Sequence, residues 1–159
     1  MAELSDNVIH CVYTSDVVGL EKLIAAGDSV VSVDRDGRTA LMLAVLTTPP
    51  SPQMISALIR AGVDVNAKDN GQSWAALAFA ARDCSPEICR LLLDAGADID
   101  AIDAFGDTAL WRAVFAKKPE NVELLLSRGA NPDRANNSGV SPRALNEGFS
   151  RAPSSSRAG

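Results

Sequence analysis

The sequence predicts an all-α solenoid of about five helix-pair repeats, and three observations carry that reading. One stretch, Asp103 to Asp133, forms a complete turn, helix, helix, turn unit. Two interleaved glycine series repeat along the chain at nearly one period. The composition is 47% hydrophobic but only 4% aromatic, so the core is built of Leu, Ile, Val and Ala, which suits closely stacked helices.

The unit DAFGDTALWRAVFAKKPENVELLLSRGANPD begins with Gly106 in a turn. Thr108 stands where a helix N-cap is needed, since its hydroxyl can accept from an unpaired backbone N–H. Ala109, Leu110 and Ala113 give a short helix with a small-residue face. Pro119 suits the first position of a second helix, where its missing N–H would have no partner. Val122, Leu125 and Leu126 recur at helical spacing. Gly129 ends that helix, because glycine enters the left-handed region without strain. A unit this small cannot bury its own apolar face.

The unit recurs. Gly37, Gly71, Gly106 and Gly139 are 34, 35 and 33 residues apart, and the helix-ending Gly27, Gly62, Gly96 and Gly129 are 35, 34 and 33 apart. The stretches DGRTALMLA, GQSWAALA, FGDTALWRA and SGVSPRALN align with one another, as do LIAAGDSV, LIRAGVDVNA, LLLDAGADIDA and LLLSRGANPD. This pattern resembles the ankyrin repeat family, whose period is about 33 residues. The resemblance covers roughly Val8 to Leu145. It implies β-hairpin loops projecting from one edge of the solenoid and partners that meet the hairpin tips and the concave face.

The repeats fall at about 4–33, 34–67, 68–102, 103–135 and 136–148, in one domain. Repeat one lacks a hairpin of its own and reads as a cap, with Val8, Ile9, Cys11 and Val12 in one helix and Leu20, Leu23 and Ile24 in the next. Repeat two carries about two extra residues between its helices, in Thr47 to Pro52, where Ser51 can cap. Repeat three departs most. Its hairpin is shorter by one residue, Gly62 to Gly71 being 9, and its helices are again separated by extra length, Gly71 to Gly96 being 25. Ser85-Pro86 repeats the cap of Ser51-Pro52, and Ser73-Trp74-Ala75-Ala76 stands where the family has Thr-Pro-Leu-His, which puts Trp74 at a helix start near the concave side. Repeat five keeps Ser141-Pro142, but Arg143 and Asn146 replace expected core residues, as suits a C-terminal cap. Residues 149–159 are too poor in apolar side chains to offset ordering entropy and are expected to be a disordered tail.

Several functions are disfavoured. The net charge is −5, against a general nucleic-acid binder. No apolar run approaches a membrane span of about 18 residues, and the acidic MAELSDNVIH has no secretory pattern. Three cysteines, Cys11, Cys84 and Cys89, form no CxxC pair, so buried reduced thiols in the cytoplasm are expected. The one histidine, His10, adjoins Cys11, but neighbouring helical residues diverge by about 100° and do not form a nucleophile pair. Asp98, Asp100 and Asp103 alternate along a hairpin without an EF-hand glycine or terminal glutamate, so a structural role is expected and no metal or other cofactor. The chain is expected to have no active site.

A protein-binding surface remains. The register places Arg35, Asp36 and Arg38, with Leu46 and Thr47, on the partner side of repeat two. Repeat three contributes Asp69, Asn70, Gln72 and Trp74. Repeat four contributes Phe105, Asp107, Trp111, Arg112 and Phe115, with Ala104. Aromatic side chains concentrated in one repeat of an aromatic-poor chain favour recognition, because exposed aromatics anchor interfaces. Residues 1–110 have net charge −9 and residues 111–159 have +4, so the part holding most of the hairpins is acidic, which serves either to steer a basic partner or to keep the chain soluble. The stretches GDTALWRAVF and NNSGVSPRAL also resemble the last repeats of small bacterial ankyrin immunity proteins. That resemblance implies occlusion of a toxin's active site, and the free chain is expected to be a monomer. An adaptor or regulator without inhibition is the alternative.

Overall fold

A computed structural model describes residues 3–151, with side chains through Glu147. Its helices are α1 (Asp6–Thr14), α2 (Val17–Ala25), α3 (Ala40–Leu46), α4 (Pro52–Arg60), α5 (Ala76–Asp83), α6 (Pro86–Asp94), α7 (Ala109–Phe115), α8 (Pro119–Ser127) and α9 (Pro142–Arg151). Odd-numbered helices stack in one layer, α1 on α3, then α5, α7 and α9, and even-numbered helices stack in a second, α2 on α4, then α6 and α8. This is an all-α solenoid of the expected kind, with four helix pairs and α9 as a half repeat.

The stacking follows from side-chain size. Ala40 and Ala44, Ala76 and Ala80, and Ala109 and Ala113 are buried at i, i+4 spacing on α3, α5 and α7. Such pairs share one helix face and let neighbouring helices approach closely. Leu41, Leu58, Leu92, Leu110 and Leu125 fill the space between the layers, each fully buried side chain stabilising by about 2 kcal/mol. Side-chain caps fix where helices begin. Thr39, Ser51 and Thr108 accept from Met42, Met54 and Trp111 amides, each at 3.2 Å. Each such cap contributes about 1 kcal/mol. Ser85 precedes α6 but makes no side-chain cap bond, contrary to the parallel with Ser51.

The register of repeat three differs from the spacing of the glycines. Asp34, Asp69, Asp103 and Asn136 open the four tips, and their amides donate to the carbonyls of Arg38, Trp74, Asp107 and Val140. Each tip therefore closes in four residues except that of Asp69, which takes five. The loop is longer by one residue, not shorter. Ser73, not Gly71, occupies the left-handed position of Gly37 and Gly106, with φ of 58°. Trp74 thus matches Arg38 and Asp107, one residue before the cap position, and Ala75 is the N-cap of α5 without a side-chain bond. Among repeats two to four, the extra length between helices belongs to repeat two, since α4 starts 12 residues after α3 whereas α6 and α8 start 10 after α5 and α7.

The ends differ from the repeats between them. Leu4 donates to the Val33 carbonyl at 2.9 Å, so the N-terminal segment lies against the hairpin that enters repeat two. Helix α9 continues to Arg151; the remainder of the expected tail, residues 152–159, lies outside the described residues. Hairpin pairing is sparse, with only isolated bridges of Val33 to Glu3 and to Thr39 among the described residues.

The tip register makes a prediction. A Cβ on Gly106 would stand 2.6 Å from Asn137 Oδ1 and 2.9 Å from its amide nitrogen, at φ of 77°, whereas one on Gly71 would meet only Asp69 Oδ2 at 3.8 Å. Gly106→Ala should destabilise by about 2 kcal/mol or more. Gly71→Ala should stay within about 0.5 kcal/mol of the parent. Urea unfolding midpoints of the two variants check this.

Candidate partner-binding face

The tips are built by one repeated device. Asp34 Oδ1 accepts from the Asp36 and Arg38 amides. Asp69 Oδ1 accepts from Gln72 and Trp74, Asp103 Oδ1 from Phe105 and Asp107, and Asn136 Oδ1 from Ser138 and Val140. A short side chain that accepts from the main chain a few residues on folds the loop back locally. Adjacent tips are then tied together. Asn70 donates to the Asp36 carbonyl, Ala104 to Gln72 and Asn137 to Phe105, at 2.9 to 3.0 Å. The tips form a continuous ridge whose spacing is set by main-chain bonds.

Arg112 joins this ridge to the helices in repeat four. Its Nη2 donates to Asp103 Oδ2 and lies 3.0 Å from Asp107 Oδ2. Both carboxylates are buried, and the Arg112 side chain is only 13% exposed. Asp107 also accepts from Asn136 Nδ2 at 2.7 Å, which links repeats four and five. Burial pushes the Asp107 carboxyl above its usual range, opposed by the Asn136 bond and the Arg112 charge and aided by the nearby Asp103 charge.

Aromatic rings surround the same guanidinium. Its central carbon lies 4.4 Å from the Trp74 ring centre, 5.5 Å from Trp111 and 5.9 Å from Phe105. Arg82 covers Trp74 as well, at 4.5 Å, and Phe79 packs beside it with centroids 4.8 Å apart. Trp111 and Phe115 lie one turn apart on α7 and stack at 5.1 Å. Phe105 and Phe115 remain 51% and 55% exposed. Trp111 is half-buried.

The residues expected on the partner side therefore occupy different depths. Phe105 and Trp111 flank Arg112, and Phe115 stacks on Trp111. Arg35, Asp36, Asn70 and Gln72 are exposed on the tips, and Arg35 pairs with Glu3 at 3.0 Å. Arg38 is half-buried and lies 3.4 Å from Asp36. Trp74 is only 3% exposed and serves as the packing centre between repeats three and four. Asp69 and Asp107 are not free rim charges, because each holds a main-chain or side-chain donor inside the ridge. Asp103, Arg82 and Phe79 complete the arrangement without having been expected there. Asp103 and Arg112 are nine residues apart and pair only once the tip folds back over α7, so no local spacing signals them.

Other reactive groups are engaged or buried. Asp98 and Asp100 accept from the Asp100 and Asn131 amides, which ties hairpins together. Cys84 and Cys89 are buried, and burial pushes their thiols up to about 11 and about 12. At neutral pH both are protonated and poor nucleophiles. His10 is exposed while its neighbour Cys11 is buried. Among the described residues, no helix is long and apolar enough to cross a membrane.

Comparison with known proteins identifies this architecture. The family model for ankyrin repeats in three copies matches residues 48–136, more than half of the chain. No curated protein matches it.

The buried charges make two predictions. Arg112→Ala leaves two buried carboxylates without their cation and should cost about 3 kcal/mol or more. Because the folded-state pKa of Asp107 is raised, its stabilising effect is present at acid pH and is lost as pH rises through the raised value. The stability of Asp107→Asn relative to the parent should therefore increase as pH rises above the ordinary aspartate range. Urea titrations at several pH values check both; a relative stability of Asp107→Asn that falls with pH contradicts the second.

Proposed function

Since the chain belongs to the ankyrin repeat family, a family of protein–protein interaction modules, we propose that it binds one cognate protein and inhibits it by occluding its active site. The partner meets the ridge and the face around Phe105, and binding alone accomplishes the inhibition, with no catalytic step. This is the role of an immunity protein toward a toxin. The observation that carries the reading is the exposure of Phe105 and Phe115 beside Trp111 on one rigid repeat. Rigid aromatics bury large area at low entropic cost, and such anchors dominate interface energies.

The surroundings suit inhibition by steric cover. Phe105 is held by the Asp103 Oδ1 bond to its amide, and its carbonyl accepts from Asn137. A partner therefore meets a surface already ordered, and less affinity is lost to ordering it. The exposed acids Asp36, Asp64 and Asp98 stand along the hairpins. They provide the field that would draw in a basic toxin, apart from the aromatic centre. The free buried thiols suit a reducing compartment such as the cytoplasm, where such an inhibitor protects its host.

Phe105→Ala should weaken binding of the cognate partner by about 2 kcal/mol or more while leaving the unfolding midpoint nearly unchanged. The partner is captured by the full chain from the native host, and surface plasmon resonance measures its affinity for both forms. Loss of the partner's activity on complex formation supports occlusion. Full activity in the complex assigns the chain to the adaptor class instead.

A further inference from the structure

The chemistry of the partner at this face can be narrowed from what the face already holds. The steps of 5.9 Å from Phe105 to the Arg112 guanidinium carbon and 5.5 Å onward to Trp111 place these rings on one surface, which Phe115 extends. The charges within that surface are matched from inside. Arg112 lies against Asp103 and Asp107, and Arg82 makes paired bonds to Asp83. The rings also hold a cation of their own, supplied by Arg112. An incoming charge would lose hydration here without finding a free counter-charge. The indole nitrogens of the aromatic centre, Trp74 Nε1 and Trp111 Nε1, are closed off from solvent and offer an incoming group no polar contact.

We propose that the Phe105, Trp111 and Phe115 face takes an uncharged protein segment that lays one large apolar side chain against the exposed rings. The inference rests on the reading of the chain as a protein-binding module and specifies which part of the partner enters the centre. The two exposed phenylalanines, Phe105 and Phe115, supply the contact area. The acids that would have held a basic side chain are consumed in closing the tips. Charge then governs approach along the hairpins, while apolar contact governs residence at the centre.

Random short peptides displayed on phage, selected against the immobilised full chain, provide the test. Selected sequences are synthesised and their affinities measured at about 0.05 and 0.5 M salt, against the parent, Phe105→Ala and Phe115→Ala. Neutral peptides with one Leu, Ile, Phe or Trp in common are expected. Their affinity should change less than about twofold with salt and fall about tenfold or more in either variant. Selection of basic or acidic peptides with strongly salt-dependent binding would overturn the proposal, as would peptides indifferent to both substitutions or an absence of binders. A dimer of the parent that Phe105→Ala dissolves, seen by analytical ultracentrifugation, would also overturn it by showing a second copy as the occupant. None of these outcomes overturns partner binding by the chain as a whole, which capture of the cognate protein decides separately.

Discussion

Each projecting tip depends on one acceptor that closes its loop. Asp34, Asp69, Asp103 and Asn136 place an oxygen where two main-chain N–H groups converge. Without that oxygen the amides would bond to water instead and the loop would lose its fixed local turn, at a net cost of about 1 kcal/mol per bond. With it, each loop reverses in a fixed register and presents the next tip with a main-chain donor. The ridge is therefore ordered by hydrogen bonds, and the helix layers by apolar packing. The two systems meet at the cap residues Thr39 and Thr108, which follow the tips directly and start α3 and α7.

Repeat four is where the two systems are joined most strongly. Asp103 closes its tip with one oxygen and receives Arg112 with the other. Arg112 belongs to α7, so the guanidinium fastens the ridge to the first-helix layer. The same group packs on Trp74 from repeat three, and Asp107 reaches Asn136 of repeat five. Three repeats thus share one buried charged cluster. A buried cluster of this kind contributes little net stability, yet removal of one member is costly. Its consequence is rigidity beneath Phe105 and Trp111, and rigidity is what an interface anchor requires.

The sequence reveals the architecture well because its signals are local. Helix-ending glycines, Pro119 at a helix start and Thr108 as a cap act within a few residues of themselves. Repeat three misleads for the same reason. Gly71 looks like the turn glycine of its neighbours, but the left-handed position falls on Ser73, and only the Asp69 to Trp74 pairing reveals the shift. The candidate face is legible in part. Phe105 and Phe115 are exposed as expected from the tip and helix positions, whereas Trp74 is buried because Arg82, Arg112 and Phe79 converge on it from two repeats. The acids were countable in the sequence, but their engagement was not. A carboxylate that closes a loop and one that faces solvent have the same local sequence appearance, and the difference lies in whether Arg112 folds back nine residues to meet Asp103.

The central claim is that the ordered ridge and aromatic face of repeat four form the surface that a protein partner covers. Amide hydrogen exchange on the full chain, free and bound to its captured partner, tests it most directly. The account predicts that slowing on binding concentrates at residues 103–115 and the adjoining tips, with little change along α4, α6 and α8. Slowing confined to those second-layer helices, with the tip of Phe105 exchanging as in the free chain, would contradict it.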